Sequence, residues 1–185
     1  PIPGSELPSV IGWRTIEDTE RMIEIAKTKR RAIVIGGGLL GLECARGLMD
    51  QGMDVTVLHL AEWLMEMQLD RKAGDMLKAD LERQGMHIEL QANSKEIIGT
   101  DDVEAIKLAD GRVIETDLVV MAVGIRPFTE VAREAGLEVN RGIVVNDYLQ
   151  TSDEHIYAVG ECAEHNGKVY GLVAPLYEQG KVLAD

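Results

Sequence analysis

The residues best suited to chemistry lie in one short run, Ile35-Gly36-Gly37-Gly38-Leu39-Leu40-Gly41. Gly36, Gly38 and Gly41 have the spacing G-x-G-x-x-G, and each glycine has its own physical task. Gly36 permits a tight turn out of a strand. Gly38 lacks a Cβ, so a pyrophosphate can approach the backbone. Gly41 lets the next helix pack closely on that strand. A helix starting here offers unpaired N–H groups and partial positive charge to phosphates. The pattern therefore points to dinucleotide binding. A purely structural glycine turn and a methyltransferase-type nucleotide site are the competing readings.

A dinucleotide site of this kind reads its ribose with an acidic residue at the end of the second strand, about twenty residues on. That place holds His59, after Val55-Thr56-Val57-Leu58. A neutral imidazole can bond a ribose hydroxyl or stack on adenine, and a protonated one can meet a 2′-phosphate. It can also simply end a strand, with Glu62 near enough to substitute. NADH and NADPH both stay open. Glu43 extends the motif to G-x-G-x-x-G-x-E, and an acid in the first turns of a helix is electrostatically favourable. Cys44 follows among apolar residues and reads as a small buried hydrophobe. Cys162 and His165 have a C-x-x-H spacing, which supplies too few ligands for a closed zinc site.

The elements around the turn have the right order. Thr15 can cap a helix, with Asp18 three residues on and Ile16, Met22, Ile23 and Ala26 as its apolar stripe. Ala32–Ile35 is a short β-branched run, the form of a strand buried on both faces. Leu39–Met49 is a helix, Val55–Leu60 a second buried strand, and Asp70–Gln84 a helix stopped by Gly85. From His87 the apolar period becomes two, and Asp110-Gly111 is a hairpin turn between 103–109 and 112–115. Leu118–Val123 returns to a continuous apolar run. Strands alternating with helices imply a parallel sheet with right-handed crossovers. The expected fold class is α/β, a Rossmann-type sheet with helices on both faces and a β-hairpin or meander insertion. Residues 1–14, rich in Pro and Gly, read as an extended linker. After Gly124 come a short helix at 129–135 and short strands at 142–145 and 156–159. That tail has little with which to close a core of its own.

Composition narrows the function classes. The chain has 185 residues and a net charge of −13, from 19 basic and 32 acidic residues. That balance opposes nucleic-acid binding, which needs clustered Lys and Arg. The basic run Lys27–Arg31 reads as a solvated helix end. An apolar content of 45% suits a packed core. No apolar stretch reaches the roughly 18 residues of a membrane span, and the N-terminus has no signal-peptide pattern. A cytoplasmic location is expected. The start at Pro1, without Met, suggests a piece of a longer chain.

Three phrases now combine. The glycine turn with Glu43, then Val123-Gly124-Ile125-Arg126-Pro127, then Thr151 through Tyr157-Ala158-Val159-Gly160-Glu161 occur in that order. Together they resemble the pyridine-nucleotide-disulfide oxidoreductase superfamily, in which an NAD domain is inserted between two segments of an FAD domain. Leu64–Asp70, Gln150–Asp153, Gly160–His165 and Tyr170–Pro175 are similar to the large subunits of NAD(P)H-dependent nitrite reductases. The resemblance implies an NAD(P)-binding domain over 15–128 and a returning segment of an incomplete FAD domain over 129–185.

It also implies roles. Gly36, Gly38 and the amides of Leu39 and Leu40 would cradle the pyrophosphate, with Gly41 behind them. Glu43 would approach the nicotinamide end, and Gly124 would line the nicotinamide slot. Gly160 and Glu161 match the superfamily's Gly-Asp pair, whose carboxylate binds a ribityl hydroxyl of FAD; Glu161 is one methylene longer. The upstream redox cysteines of disulfide reductases have no counterpart here, so the resemblance implies a hydride relay through flavin. In the parent, electrons would pass on to Fe–S and sirohaem centres that reduce nitrite to ammonia. The expected partners are the nicotinamide dinucleotide, the FAD and sirohaem/Fe–S domains of the same polypeptide, and a second copy in a homodimer. No catalytic side chain or resident metal is expected in this chain, and alone it should bind nicotinamide cofactor without turnover. Rubredoxin- or ferredoxin-reductase-like and nitrate-reductase electron-transfer flavoproteins, and a non-catalytic dinucleotide module, are the other readings.

Overall fold

Alternation along the apolar strands sorts their side chains onto two faces of one parallel sheet. The computed structural model describes residues 2–184, which fall into two compact units, 2–123 and 124–184. The first contains β1 (Val10–Ile11), α1 (Ile16–Ala26), β2 (Arg31–Ile35), α2 (Leu39–Asp50), β3 (Asp54–His59), α3 (Arg71–Arg83) and β4 (His87–Leu90). A meander follows, β5 (Ser94–Gly99), β6 (Val103–Leu108) and β7 (Val113–Glu115), and then β8 (Leu118–Met121). The five-stranded sheet has the order β1-β8-β2-β3-β4, all neighbours parallel. In register, Ala32, Ile33, Val34 and Ile35 face Val55, Thr56, Val57 and Leu58 on one side and Leu118 through Met121 on the other.

The layers differ from the sequence expectation. Ala32, Val34, Val55, Val57, Leu118 and Val120 pack with Met22, Cys44, Ala45, Leu48, Leu77 and Leu81, so α1, α2 and α3 all cover one face. The alternate residues Ile33, Ile35, Leu58 and Val119 pack with Ile97, Val103, Ile106 and Leu108 of the meander. Helices thus occupy one face and the antiparallel meander the other. The strands are apolar on both faces either way, so their composition could not say which kind of layer lay on each side.

Residues 2–14, expected as an extended linker, pack into the first unit. Val10–Ile11 extends the sheet beside β8, and Ile97 N–H donates to Pro3 O at 2.9 Å. Ile2 and Leu7 pack beneath the meander. An otherwise unpaired edge of β8 and two β-branched residues explain the pairing.

The start of α1 matches expectation in detail: Thr15 and Asp18 form a reciprocal capping box. At the far end of the sheet Asp117 accepts from Arg31 N–H (2.9 Å), Nη2 (3.1 Å) and Nε (3.3 Å), and from Arg30 N–H (3.3 Å). Arg31 also meets Glu115. These donors, the Arg31 side chain foremost, hold the Asp117 carboxyl at about 2 against an ordinary 3.8. The folded state therefore binds this proton more weakly than the unfolded chain. The stabilisation is complete above about pH 4 and is lost as the pH falls towards 2. We expect Asp117→Asn to destabilise by about 1 to 2 kcal/mol at neutral pH, after allowance for solvent at the part-exposed Arg31. The gap to the unsubstituted protein should narrow between pH 4 and 2 in urea unfolding. A gap independent of pH would show that the ion pair is not its source.

The second unit contains α4 (Glu130–Glu134), β9 (Ile143–Val145), β10 (Ala163–His165), β11 (Lys168–Val169) and α5 (Val173–Ala184). Its sheet has the order β11-β10-β9, with β9 and β10 parallel. Its core is small: Val145, Leu149, Ala158 and Ala163, with Ile143 against them. The strand expected at 156–159 does not form. Thr151 Oγ1 and N–H both donate to Ile156 O at 2.9 Å, which closes a turn, and Tyr157 makes a single bridge to Gln150. The strand beside β9 is instead Ala163–His165, whose polar sequence concealed it. Among the described residues no helix is long and apolar enough to cross a membrane.

Candidate functional site

The turn between β2 and α2 gives each of its glycines a different constraint. Gly36 has φ +118°, and a Cβ there would lie 2.3 Å from Ala122 O. Its N–H donates to Leu58 O at 2.8 Å, which ties the turn to β3. A Cβ on Gly41 would lie 1.9 Å from Gly36 O, so the helix can approach the strand only without one. Gly38 is the N-cap of α2, with φ −84° and ψ −176°, and its missing Cβ would meet nothing within 4 Å. The fold accordingly requires Gly36 and Gly41, and leaves open space at Gly38.

Leu42 N–H is bonded to Gly38 O at 3.0 Å. The N–H groups of Leu39, Leu40 and Gly41 precede this first turn and point out of the helix end, and no side chain caps it. Leu39 and Leu40 are about half exposed, and Glu43, one turn on, is exposed on the same side of α2. These residues present backbone donors at an open helix end, with an acid farther along the helix. The geometry fits a dinucleotide pyrophosphate: open space at the N-cap, outward amides and the positive end of a 12-residue helix. Cys44, one residue on, faces the core against Met22, and burial pushes its thiol up to about 12.

His59 is placed differently from the sequence reading. It is only 6% exposed, and its side chain turns under the glycine turn. Nδ1 accepts from Gly37 N–H at 3.0 Å. Nε2 lies 3.0 Å from both Trp63 O and Glu66 Oε2. A ring whose two nitrogens are bonded inside the fold does not reach out to a ribose. Glu62, the alternative acid, is exposed and paired with Arg71 at 3.2 Å.

The motif also hid a fourth glycine requirement. Gly37 occupies a free position of G-x-G-x-x-G, yet a Cβ there would lie 2.6 Å from Leu64 Cδ2 and 2.8 Å from His59 Cγ. Leu64 is completely buried, and Met65 N–H donates to Gly37 O at 3.1 Å. Residues 60–69 are therefore part of the site's support. The sequence signal was the extra glycine between Gly36 and Gly38, which makes an unbroken run of three. The same loop constrains α3, because a Cβ on Gly74 would lie 2.6 Å from Trp63 Cδ1 and 2.8 Å from Leu64 O. In an open helix interior Gly→Ala stabilises by up to about 1 kcal/mol. Here Gly74→Ala should destabilise by about 1–3 kcal/mol, measured by urea unfolding. A stabilised variant would mean that the loop yields freely.

Gly124, Gly160 and Glu161 belong to the second unit. Gly124 has φ +90° and Gly160 φ +94°, and neither missing Cβ would meet an atom within 4 Å. Gly160 N–H donates to Gln179 Oε1 at 2.8 Å, and Glu161 is half-buried. His165, expected to matter only with Cys162, has its Nε2 2.7 Å from Asp147 Oδ1.

The sequence pattern described as pyridine nucleotide-disulphide oxidoreductase matches residues 1–180. The chain belongs to this family. Among pyridine nucleotide-disulphide oxidoreductases it is 60% identical, over 184 residues, to the NAD(P)H nitrite reductase of Bacillus subtilis. The match covers 100% of this chain and 23% of the relative. The assimilatory nitrate reductase electron transfer subunit of the same organism is 52% identical, with 100% and 24% covered. The NAD-dependent persulfide reductase from A. fulgidus superposes with a TM-score of 0.94 at 33% identity, over 99% of this chain and 36% of that one. The chain thus spans about a quarter of the length of these two curated relatives. The oxidoreductase sheet with its glycine turn agrees with the α/β, Rossmann-type fold class expected from the sequence.

Proposed function

We propose that this chain is the nicotinamide-dinucleotide-binding part of a flavoprotein reductase of the nitrite-reductase type. The observation that carries the reading is Gly38: an extended, unhindered N-cap with the outward amides of Leu39, Leu40 and Gly41 beside it. The named relatives at 60% and 52% identity support the class of parent.

In this reading Gly36 and Gly41 shape the turn, and the Gly38, Leu39 and Leu40 amides hold the pyrophosphate. Glu43 lies towards the nicotinamide end, and Gly124 leaves room for the ring. The NAD(P) domain of this proposal is the first unit, β1 included, in place of the 15–128 expected from the sequence, and the second unit contributes to an FAD domain, in which Gly160 and Glu161 meet the ribityl chain. The left-handed Gly160 with open space beside it suits such an approach. Hydride acceptance and release as single electrons towards nitrite are the chemistry that FAD, Fe–S and sirohaem supply in the parent. The residues of this chain bind and orient the nucleotide. A cytoplasmic parent is part of the proposal, and fractionation of the cells tests it.

Calorimetric titration of the chain with NADH, NADPH and FAD tests the core of the reading. Saturable binding of a nicotinamide nucleotide is expected, and the two nucleotides give the preference directly. A folded chain that binds neither would overturn it.

A further inference from the structure

We propose that His59 is a positioning residue for the phosphate-binding turn: its imidazole, acting as a hydrogen-bond acceptor at Nδ1, fixes the Gly37 peptide units and thereby aims the Gly38 amide. The proposal rests on the nucleotide-binding reading above and adds to it a residue that never touches the ligand.

Gly37 is held at both of its polar atoms. Its N–H donates to His59 Nδ1 at 3.0 Å, and its carbonyl accepts from Met65 N–H at 3.1 Å. Because Nδ1 accepts, the ring proton must sit on Nε2. Nε2–H then donates towards Trp63 O and Glu66 Oε2, each at 3.0 Å. One ring thus joins the glycine turn to residues 60–69 and specifies its own tautomer. Leu64 lies beside the ring on the side where a Gly37 Cβ would project.

The consequence for the ligand follows from peptide geometry. The Gly37–Gly38 peptide bond is trans, so the Gly38 N–H points opposite to the Gly37 carbonyl. Holding that carbonyl on Met65 directs the Gly38 N–H away from the loop. Met65 itself has φ +59°, an uncommon conformation for a residue with a Cβ. The loop is bent into a disfavoured shape in order to meet the turn, as expected where surrounding contacts fix a functional geometry. His59 and Gly37 are also sterically matched, since any Cβ at Gly37 would collide with the ring.

The test compares NADH affinity of the full 185-residue chain with those of His59→Asn, His59→Gln and His59→Phe. The Asn oxygen lies close to the Nδ1 position, so it can still accept from Gly37 N–H. Gln reaches instead towards the Nε2 position, and Phe fills the space with no acceptor. We expect His59→Asn to bind within about threefold of the unsubstituted chain, and Gln and Phe to bind at least tenfold more weakly at temperatures where all are folded. A residue that only filled space would follow volume, with Phe the best substitute. Equal affinity for Asn and Gln would overturn the proposal, as would undiminished binding by Phe, and the Asn–Gln pair decides even where Phe fails to fold. Failure of the folded, unsubstituted chain to bind either NADH or NADPH would overturn the nucleotide reading instead, and shows before any variant is made; where NADPH alone binds, the comparison is made with NADPH. As a second readout, NADH should slow exchange of the Met65 amide in the unsubstituted chain and lose that effect in His59→Gln.

Discussion

Gly38→Val should lose at least 100-fold in NADH affinity, about 2.7 kcal/mol, while its melting temperature falls by no more than about 4 °C. The two halves of this expectation rest on one geometric feature. Among the described residues, a Cβ on Gly38 would meet no atom beyond its chain neighbours within 4 Å, and φ −84° with ψ −176° is an extended conformation open to any residue. The fold therefore has no steric objection to a side chain. Valine is a poorer helix N-cap than glycine, which costs about 1 kcal/mol or less. The space a valine would fill is where a pyrophosphate must approach the Leu39 and Leu40 amides, so the loss falls on the ligand. Calorimetric titration alongside a thermal melt separates the two effects. Undiminished binding by a folded variant would show that the helix end is not the phosphate site.

How legible this was in the sequence depended on whether local or distant partners decided each position. The Thr15–Asp18 capping box, the β2-turn-α2 unit and the hairpin at Asp110-Gly111 depend on residues a few positions apart, and the spacing alone located them. The layer order did not follow, because Ile33 and Val34 are equally apolar although one faces the meander and the other faces the helices. Val10–Ile11 was hidden for a related reason: its partner, Val119–Val120, lies more than a hundred residues away. At the site, Gly36, Gly38 and Gly41 could be assigned from spacing because their tasks are set by the turn itself. His59 could not. The rule that a polar residue at the end of the second strand reads the ribose assumes a side chain facing outward. Trp63, Leu64 and Glu66, which draw the ring inward, have no spacing that ties them to His59, although Leu64–Asp70 carries part of the family resemblance. The second unit was least legible, since its small core and its polar β10 give little periodicity to read.

The second large effect is on folding. Gly41→Ala should destabilise the protein by about 3 kcal/mol or more, a fall in melting temperature of roughly 6–12 °C for a chain of this size. Helix propensity predicts the opposite, because alanine is favoured over glycine in a helix interior by about 1 kcal/mol. Steric contact decides the sign. The added Cβ would lie 1.9 Å from Gly36 O, a backbone atom with little freedom to move. Gly36 is tied to Leu58 O by its N–H, sits at φ +118°, and already lies so close to Ala122 that it could carry no Cβ itself. The strand cannot retreat, so α2 must tilt off it, opening the packing of Cys44, Ala45 and Leu48. Gly47, on the same helix, provides the control. A Cβ there would meet nothing within 4 Å, so Gly47→Ala should stabilise by about 0.4–1 kcal/mol. The same substitution six residues apart on one helix thus has opposite expected signs, and thermal melts of the two variants check them together. If both raised the melting temperature, the close approach of α2 to β2 would not be the reason that glycine stands at position 41. If Gly41→Ala alone lowers it, nucleotide affinity should fall as well, because the Leu39 and Leu40 amides move with the helix that carries them.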